Sequence, residues 1–173
     1  MEIKQETSDV FYVTDSPLLL EKKDIDQLIS LAFKSKRQRA RYCAHKHKES
    51  NTHEMFEVFT PKTYIRPLKQ EQKIYSFHII QGSVDIYLFS ENGEVTDVIS
   101  LGDFQSGKPF YFRAPENTYR TLITTTDFLL YQEVTSGPFN KGDTIFAPWA
   151  PKEDDAEGIK HFFSTLKGSK TLL

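Results

Sequence analysis

The sequence is poor in sulfur-containing side chains and has no long apolar run, and both absences narrow the class of protein. Cys43 is the single cysteine among 173 residues, so neither an internal disulfide nor a multi-cysteine zinc site can form. No stretch approaches the roughly 18 apolar residues of a membrane-spanning helix, and the amino terminus lacks the basic start and apolar core of a secretory signal. We therefore expect a cytoplasmic protein without membrane insertion.

The chain also lacks an excess of charge of either sign. It has 22 basic and 24 acidic side chains, a formal net charge of -2, so the molecule as a whole has no electrostatic preference for nucleic acid. The run KSKRQRARYCAHKHK is basic, but no recognition-helix or RNA-binding motif accompanies it, and such runs are usually a solvated face. We expect no nucleic-acid partner, although the run could steer an anionic metabolite toward the protein.

Aromatic residues are abundant, and they predict a folded core. The chain contains 14 Phe and 8 Tyr, with 38% hydrophobic and 27% charged residues, which is typical of one globular domain. Ile25, Leu28, Ile29 and Ala32 recur at helical spacing, and Asp24 can cap the first turn. The pattern predicts a helix from about residue 24 to residue 35.

From residue 54 the pattern changes to short runs rich in aromatic and β-branched residues, separated by turn residues. The runs are EMFEVFT, TYIRPL, IYSFHII, SVDIYLF, VTDVISL, PFYFR, TYRTLIT and DFLLYQEV. Asn92-Gly93 between two of them is a strong hairpin signal. Short strands at intervals of roughly ten residues predict a mostly β protein, an antiparallel jelly-roll barrel.

The carboxyl-terminal part of the sequence reads differently. The prolines of FAPWAP, residues 146–151, predict an extended segment over the barrel surface. AEGIKHFFSTLKG then has helical spacing of its apolar residues and predicts a short helix that closes one end or binds a partner. We predict three parts: residues 1–40 as an N-terminal extension with one helix, residues 41–151 as the jelly roll with FAPWAP, and residues 152–173 as a helical tail.

Five segments carry a family resemblance: RARYCAH, TYIRP, YLFSENGEV, EVTSGPF and above all FAPWAP. Over residues 37–151 the chain resembles the WbuC family of cupin-fold proteins, found with genes for cell-surface polysaccharide synthesis. The resemblance implies a cupin-type jelly roll preceded by a short helical region. It also implies a metal bound by histidines and a glutamate.

The metal does not carry over to this chain. A cupin site uses two histidines separated by one residue, a glutamate soon after and a distant third histidine, because alternate strand residues face the same side. The equivalent positions hold Leu68, Gln70, Tyr75 and Arg120, and none is a strong ligand for a divalent cation. We predict a pocket without a metal or another cofactor.

The alternation of side chains along a strand makes these positions a candidate binding site. If residues 68 and 70 face the interior, then Tyr64 and Arg66 do so too. Arginine has forked donors that suit carboxylate or phosphate, and two unpaired guanidinium groups inside a barrel would be costly. We therefore predict a site for a sugar, a sugar nucleotide or a small acid. Its residues are Arg66, Gln70, Tyr75, Arg120 and Trp149.

Alternatives remain open for several of these residues. Arg66 could pair with an internal carboxylate such as Glu57 or Glu133 while Leu68 fills a closed barrel, since filled small barrels are common. Trp149 could stack on a pyranose ring at the pocket rim, or it could pin the tail to the barrel.

Two histidines offer a different metal site. His45 and His47 have the spacing of ligands on one strand, which leaves open a displaced site. However, the interleaved Lys46 and Lys48 disfavour a bound cation.

Three functions are compatible with these observations. The leading one, which the resemblance implies, is a small-molecule binding or auxiliary protein of bacterial cell-surface polysaccharide (O-antigen or capsule) synthesis, with a homodimer as a further option. A rival is a metal-independent sugar-nucleotide epimerase or ketoisomerase, which needs a general base. Neither Arg66 nor Gln70 is a base, and Tyr75 would need a lowered pKa, so no catalytic residue is assigned. The third is a structural or partner-binding protein with a closed barrel.

Overall fold

A computed structural model describes residues 1–71 and 73–170, which form two β-sheets with one helix outside each. The strands are β1 (Ile3–Gln5), β2 (Val10–Val13), β3 (Arg39–Cys43), β4 (Thr52–Phe59), β5 (Leu68–Gln70), β6 (Tyr75–Gln81), β7 (Ser83–Phe89), β8 (Val95–Gly102), β9 (Tyr111–Arg113), β10 (Tyr119–Thr124), β11 (Leu129–Ser136) and β12 (Thr144–Phe146). The helices are α1 (Lys22–Lys34) and α2 (Ala156–Lys170). The last three residues of the predicted tail lie outside the described residues.

The two sheets have the interleaved strand order of a jelly roll. The larger sheet runs β1-β2-β3-β4-β11-β6-β9 and the smaller runs β12-β5-β10-β7-β8. The paired strands are antiparallel except for β2 and β3, which are parallel. The predicted hairpin at Asn92-Gly93 joins β7 and β8, and Gly93 has the positive φ of 89° that favours glycine there. Asn117, with a φ of 52°, makes a similar turn before β10.

The main core lies between the sheets. Alternate residues of the central strands face inward and pack as one buried cluster. Its members are Phe59, Phe77, Ile79, Val84, Ile86, Leu88, Leu101, Leu122, Leu129 and Tyr131. This cluster fills one end of the barrel interior.

Helix α1 covers the outer face of the larger sheet. Leu28 and Ala32 are fully buried, and they pack with Phe11 of β2 and Val58 of β4. The helix begins two residues earlier than predicted, and Asp24 in its first turn accepts a hydrogen bond from the Glu21 backbone N–H at 2.9 Å. This carboxylate therefore caps the helix from inside the first turn.

The N-terminal segment is more than a helical extension. Before α1 it contributes β1 and β2, and β2 pairs with β3 along the edge of the larger sheet. The predicted boundary after residue 40 falls inside β3. The sequence did not reveal these strands because VFYV alone is too short to be distinguished from a loop. The three predicted parts stay a prediction.

Helix α2 covers the outer face of the smaller sheet, where Leu166 is buried against Tyr87, Phe89 and Tyr119. Neither α2 nor the other helix of the described residues is long and apolar enough to cross a membrane.

Candidate functional site

A cavity of about 180 Å³ lies between the two sheets, beyond the end of the main core. The larger sheet lines it with residues of β3, β4, β6 and β11, and the smaller sheet lines it with Leu68, Arg120, Leu122 and Phe146. A cavity of roughly 150 Å³ is enough for a benzene-sized ring, whereas sites for drug-sized ligands are usually about 300 to 1,000 Å³. This cavity therefore has room for a single sugar ring or a small acid.

Two arginines line the cavity from the side of the smaller sheet. Arg120 is 3% exposed, donates to Gln70 Oε1 at 3.1 Å and has its guanidinium carbon 4.5 Å from the centre of the Tyr75 ring. Arg66 donates through Nη2 to the Ala147 carbonyl at 2.8 Å. Its Nε is buried without a hydrogen-bond partner among the described residues. Such a donor costs about 1–3 kcal/mol when it stays unpaired.

Two buried glutamates line the side of the larger sheet. Glu57 on β4 is paired in register with Tyr131 on β11, and Glu133 lies two residues further along β11. Both carboxyl groups therefore project from the same face of neighbouring strands. Arg41, the register partner of Glu57 on β3, places Nη1 3.5 Å from Glu57 Oε1.

Glu133 is the less compensated of the two carboxyl groups. Its Oε2 accepts a short hydrogen bond from the Tyr75 hydroxyl, and no ion pair involves it within the described part of the chain. Burial, together with the Glu57 carboxylate, raises the pKa of Glu133 to about 8, against the opposing effects of Tyr75, Arg41 and Arg120. Burial also raises the pKa of Tyr75 well above its usual value, so its hydroxyl remains a donor.

Charged side chains meet at the outer side of the cavity. Arg37 contacts Asp9 Oδ2 at 3.3 Å and Glu153 Oε1 at 2.5 Å, and Arg39 approaches the same two carboxylates at 3.7 and 3.6 Å. These four residues, which we call the rim, join the segment before β2, the segment entering β3 and the segment before α2. All four also line the cavity.

The predicted site residues divide between two places. Arg66, Tyr75 and Arg120 line the cavity, and Gln70 reaches it through its hydrogen bond to Arg120. Trp149 is not among the residues that line this cavity.

Trp149 lies on the other side of the smaller sheet. Its Nε1 donates to the Glu91 carbonyl at 3.1 Å, and its ring packs against Phe89, Tyr119 and Phe162. A Cβ on Gly93 would lie 2.8 Å from the indole, so the hairpin turn must be a glycine for the ring to pack there. The contacts are those of a ring that holds α2 and FAPWAP against the sheet.

Tyr64 does not face the cavity as expected. Its hydroxyl donates to the Pro151 carbonyl at 2.7 Å, and its ring packs against Phe162 and Phe163 of α2. The expected alternation applies only inside a strand, and β5 begins at Leu68, after Pro67. Arg66 reaches the cavity from irregular backbone.

The residues present do not fit the metal that the cupin fold implies. The four equivalent positions hold an aliphatic side chain, an amide, a phenol hydrogen-bonded to Glu133, and a cation. Within residues 1–71 and 73–170, no group of three or more His, Cys, Asp or Glu side chains is arranged to hold a metal ion. Arg41, Arg66 and Arg120 add positive charge to the same small space, which disfavours a bound cation.

His45 and His47, which have the spacing of ligands on one strand, lie in different surroundings. His45 is buried and stacks on His53, with ring centres 4.1 Å apart and planes within 5°. His47 is exposed and lies 3.5 Å from Glu49. Burial lowers the pKa of both His45 and His53, which keeps this stacked pair neutral near pH 7.

Sequence reasoning missed the acidic half of the site. Glu57 and Glu133 entered only as partners for Arg66, yet neither carboxyl contacts that arginine among the described residues. The available signal was a glutamate inside each of two mostly apolar strands, Glu57 in EMFEVF and Glu133 in LLYQEV, because such a residue is buried only with partners or a function. The rim had no comparable signal, since its residues are far apart in sequence.

Strand order and the match to one solved structure, CapF, define the fold of the protein as a jelly roll. The CapF capsular polysaccharide assembling protein of Staphylococcus aureus matches with a TM-score of 0.52 and 13% identity, over 65% of this chain and 32% of that chain. SO0799 of Shewanella oneidensis matches with a TM-score of 0.47 and 19% identity, over 60% and 66%. The cupin domain of Schizosaccharomyces pombe Cnp3 matches with a TM-score of 0.44 and 14% identity, over 58% and 66%. The predicted mostly β jelly-roll fold is confirmed, whereas the helical extension that was part of this prediction stays a prediction, and identities this low show the fold alone.

A family profile matches slightly less than half of the chain. It is described as a domain of unknown function (DUF6016) and covers residues 20–101, from α1 to β8. A search of curated proteins found no match. This chain therefore spans less than two thirds of the length of SO0799 and Cnp3, and about a third of the length of CapF.

Proposed function

We propose that this protein binds a small polyhydroxylated anion, a sugar acid or sugar phosphate, in the cavity between its sheets without a metal. The observation that carries the proposal is a pair of arginines in the cavity wall: the partly buried Arg66, whose buried Nε has no hydrogen-bond partner among the described residues, and the buried Arg120, which donates to Gln70. A carboxylate or phosphate fits such forked donors and offsets the cost of burying them.

The opposite wall suits the rest of such a molecule. Glu57, Glu133 and Tyr131 bring oxygen atoms to the cavity, and sugar hydroxyls both donate to and accept from such groups. The volume accommodates one ring, so a sugar nucleotide would place its nucleotide beyond the rim. The cavity also argues against a fully closed barrel.

We also propose a role in bacterial cell-surface polysaccharide synthesis, on the motifs shared with the WbuC family. FAPWAP and YIRP carry this part of the proposal. CapF is a capsular polysaccharide assembling protein, but its low identity to this chain adds only the fold.

The test compares binding of D-glucuronate, D-glucose 6-phosphate and neutral D-glucose by calorimetry. The wild-type protein should bind at least one of the two anions at least about tenfold more tightly than glucose, because a charge-assisted forked contact is worth roughly 1.5–3 kcal/mol. Arg66→Leu/Arg120→Leu should abolish this preference, whereas Arg113→Leu on the exposed edge of β9 should keep it. Far-UV circular dichroism must show that each variant is folded.

Two results would overturn this function. One is that neither anion binds the wild-type protein, or that the folded double variant binds it as well as the wild type does. The other is a stoichiometric transition metal in the purified protein by elemental analysis.

A metal-independent sugar epimerase or ketoisomerase is a second candidate, favoured by Glu133. An ionised Glu133 could take a proton from the carbon beside a carbonyl, the C–H electron pair forming an enediolate that Arg120 stabilises, and then return the proton to carbon. Deuterium entering D-glucuronate or D-glucose 6-phosphate from D₂O with wild-type protein, but not with Glu133→Gln, would support this reaction. Binding without exchange would leave the protein as a binding protein for these anions.

A further inference from the structure

The Glu133 carboxyl occupies the same small cavity as the arginines that would hold an anion. It is 3% exposed, and its Oε2 is taken by the Tyr75 hydroxyl. Tyr75 also lies under the Arg120 guanidinium, 4.5 Å from ring centre to guanidinium carbon. Glu133, Tyr75 and Arg120 therefore form a continuous series of contacts from the larger sheet to the smaller one.

The charged and titratable groups around Glu133 come from every side of the cavity. They are Glu57 on β4, Arg41 on β3, Tyr75 on β6, Tyr131 on its own strand and Arg120 on β10, with Arg66 and the rim residues Asp9, Arg37, Arg39 and Glu153 further along the wall. Arg41 lies against Glu57. Glu57 therefore has an ion-pair partner, whereas Glu133 has none among the described residues.

An anion beside Arg120 would face a second negative charge if Glu133 were ionised. In a cavity this small, two like charges repel strongly. A proton on Glu133 removes the repulsion. Because Oε2 already accepts from Tyr75, the proton on Oε1 would turn the acid into a donor for the anion.

Resting on the proposed function, we propose that the cavity binds its anion together with one proton, and that Glu133 carries this proton and donates it in a hydrogen bond to the anion. Glu133 is then a specificity residue, because it selects anionic acceptors over neutral ligands. The raised pKa of this carboxyl, about 8, supports the proposal, since Glu133 is protonated in most protein molecules at neutral pH. Above about pH 8, Glu133 is mostly ionised, and binding must draw a proton from solvent.

Calorimetry of D-glucuronate binding tests the proposal, because the carboxylate of this probe is ionised throughout the range. Titrations in Tris and in HEPES, which differ in ionisation enthalpy, give the number of protons taken up. We expect almost no uptake near pH 6.5 and more than half a proton per ligand near pH 9, with the affinity falling up to about tenfold per pH unit above pH 8. If D-glucose 6-phosphate is the anion that binds, the series runs from about pH 7.5 upward, where its phosphate is doubly ionised.

Variants assign the proton to Glu133. Glu133→Gln keeps an acceptor for Tyr75 and a donor for the anion, so it should bind with no proton uptake and with an affinity independent of pH. Glu94→Gln, exposed at the β7–β8 turn, should behave like the wild type. Carbon-detected NMR of the wild-type glutamate carboxyls gives a second readout that needs no variant: one resonance should titrate near pH 8, and anion binding should raise its midpoint.

The possible failures separate the two proposals. If the anion binds in an arginine-dependent way but no proton is taken up near pH 9, the inference is wrong and the binding function stands. If proton uptake persists in folded Glu133→Gln, the proton belongs to another group and the inference is again wrong. If neither anion binds, the proposed function itself fails.

Discussion

Single residues in the cavity hold charge where the strand pattern favours apolar side chains. Glu57 shares the inward face of β4 with Phe59, Glu133 shares that of β11 with Tyr131, and Arg120 shares that of β10 with Leu122. Burying such groups costs free energy unless they are paired. The ion pair with Arg41 offsets the cost of burying Glu57, whereas Glu133 avoids burying a charge by remaining protonated. The effect of Glu133 on stability must therefore depend on pH.

The pH dependence of stability can be predicted for Glu133. Its pKa is about 8 in the folded protein, against an ordinary value of 4.5. Between these values the folded state binds more protons than the unfolded state, so this group lowers the free energy of unfolding as pH rises, by up to about 1.4 kcal/mol per pH unit, until the effect levels off above pH 8. Glu133→Gln removes this slope.

Urea denaturation of wild type and Glu133→Gln at about pH 5.5 and about pH 8.5 measures the difference. The variant should gain at least about 1–2 kcal/mol relative to the wild type at the higher pH. Comparison at each pH cancels the opposite effect of His45 and His53, whose lowered pKa values reduce stability as pH falls below about 6.5. The prediction fails if the gap between the two proteins is the same at both pH values, or if Glu94→Gln shows a similar change.

At the residue scale, sequence predicted the basic half of the site better than the acidic half. Tyr75 and Arg120 were predicted because they stand at positions equivalent to metal ligands in a known kind of site, and that kind of site brings the positions together. Glu57 and Glu133 belong together only because β4 pairs with β11 across more than 70 residues of chain, as in the register of Glu57 with Tyr131. No local pattern contains that pairing.

At the element scale, α2 and the FAPWAP segment form a second layer over the smaller sheet. Leu166 is 2% exposed and packs in the cluster that contains Tyr87, Phe89 and Tyr119, with Trp149 beside it. The helix could be predicted from its spacing of apolar residues, but its docking position could not, since an amphipathic helix fits many apolar faces. Trp149 gives this layer an optical probe.

Leu166→Ala tests whether apolar packing holds α2 and FAPWAP against the outer face of the smaller sheet, the face on which Trp149 lies. The substitution should lower the free energy of unfolding by about 2–5 kcal/mol and shift Trp149 emission to longer wavelength in the native state. D-glucuronate binding should change by less than about threefold, because the cavity is on the opposite face of the sheet. Lys167→Ala, exposed on the same helix, should change stability by less than about 0.5 kcal/mol. Unchanged emission with unchanged stability would contradict this account of α2.

At the scale of the whole molecule, the layers follow one another as α1, larger sheet, smaller sheet and α2. The N-terminal strands extend the larger sheet, and the rim ties them through Asp9 to Arg37 and through Arg37 to Glu153. These contacts join the predicted extension to the predicted tail, and the pairing of β2 with β3 and of β3 with β4 joins the extension to the barrel. We therefore infer that residues 1–40 do not fold or unfold separately, and the homodimer stays a prediction that sedimentation can check.

Phe11→Ala tests this cooperativity. Phe11 on β2 is 4% exposed under α1 and packs edge-on against Tyr42, so its truncation should cost about 3–5 kcal/mol. If the molecule unfolds as one unit, the urea midpoint should fall equally by far-UV circular dichroism and by the fluorescence of Trp149, which lies beyond both sheets from the substitution. Gln5→Ala, exposed on β1, should leave both midpoints in place. A fall seen by circular dichroism with an unchanged Trp149 transition would instead show that the N-terminal strands and α1 unfold alone, as a separate extension would.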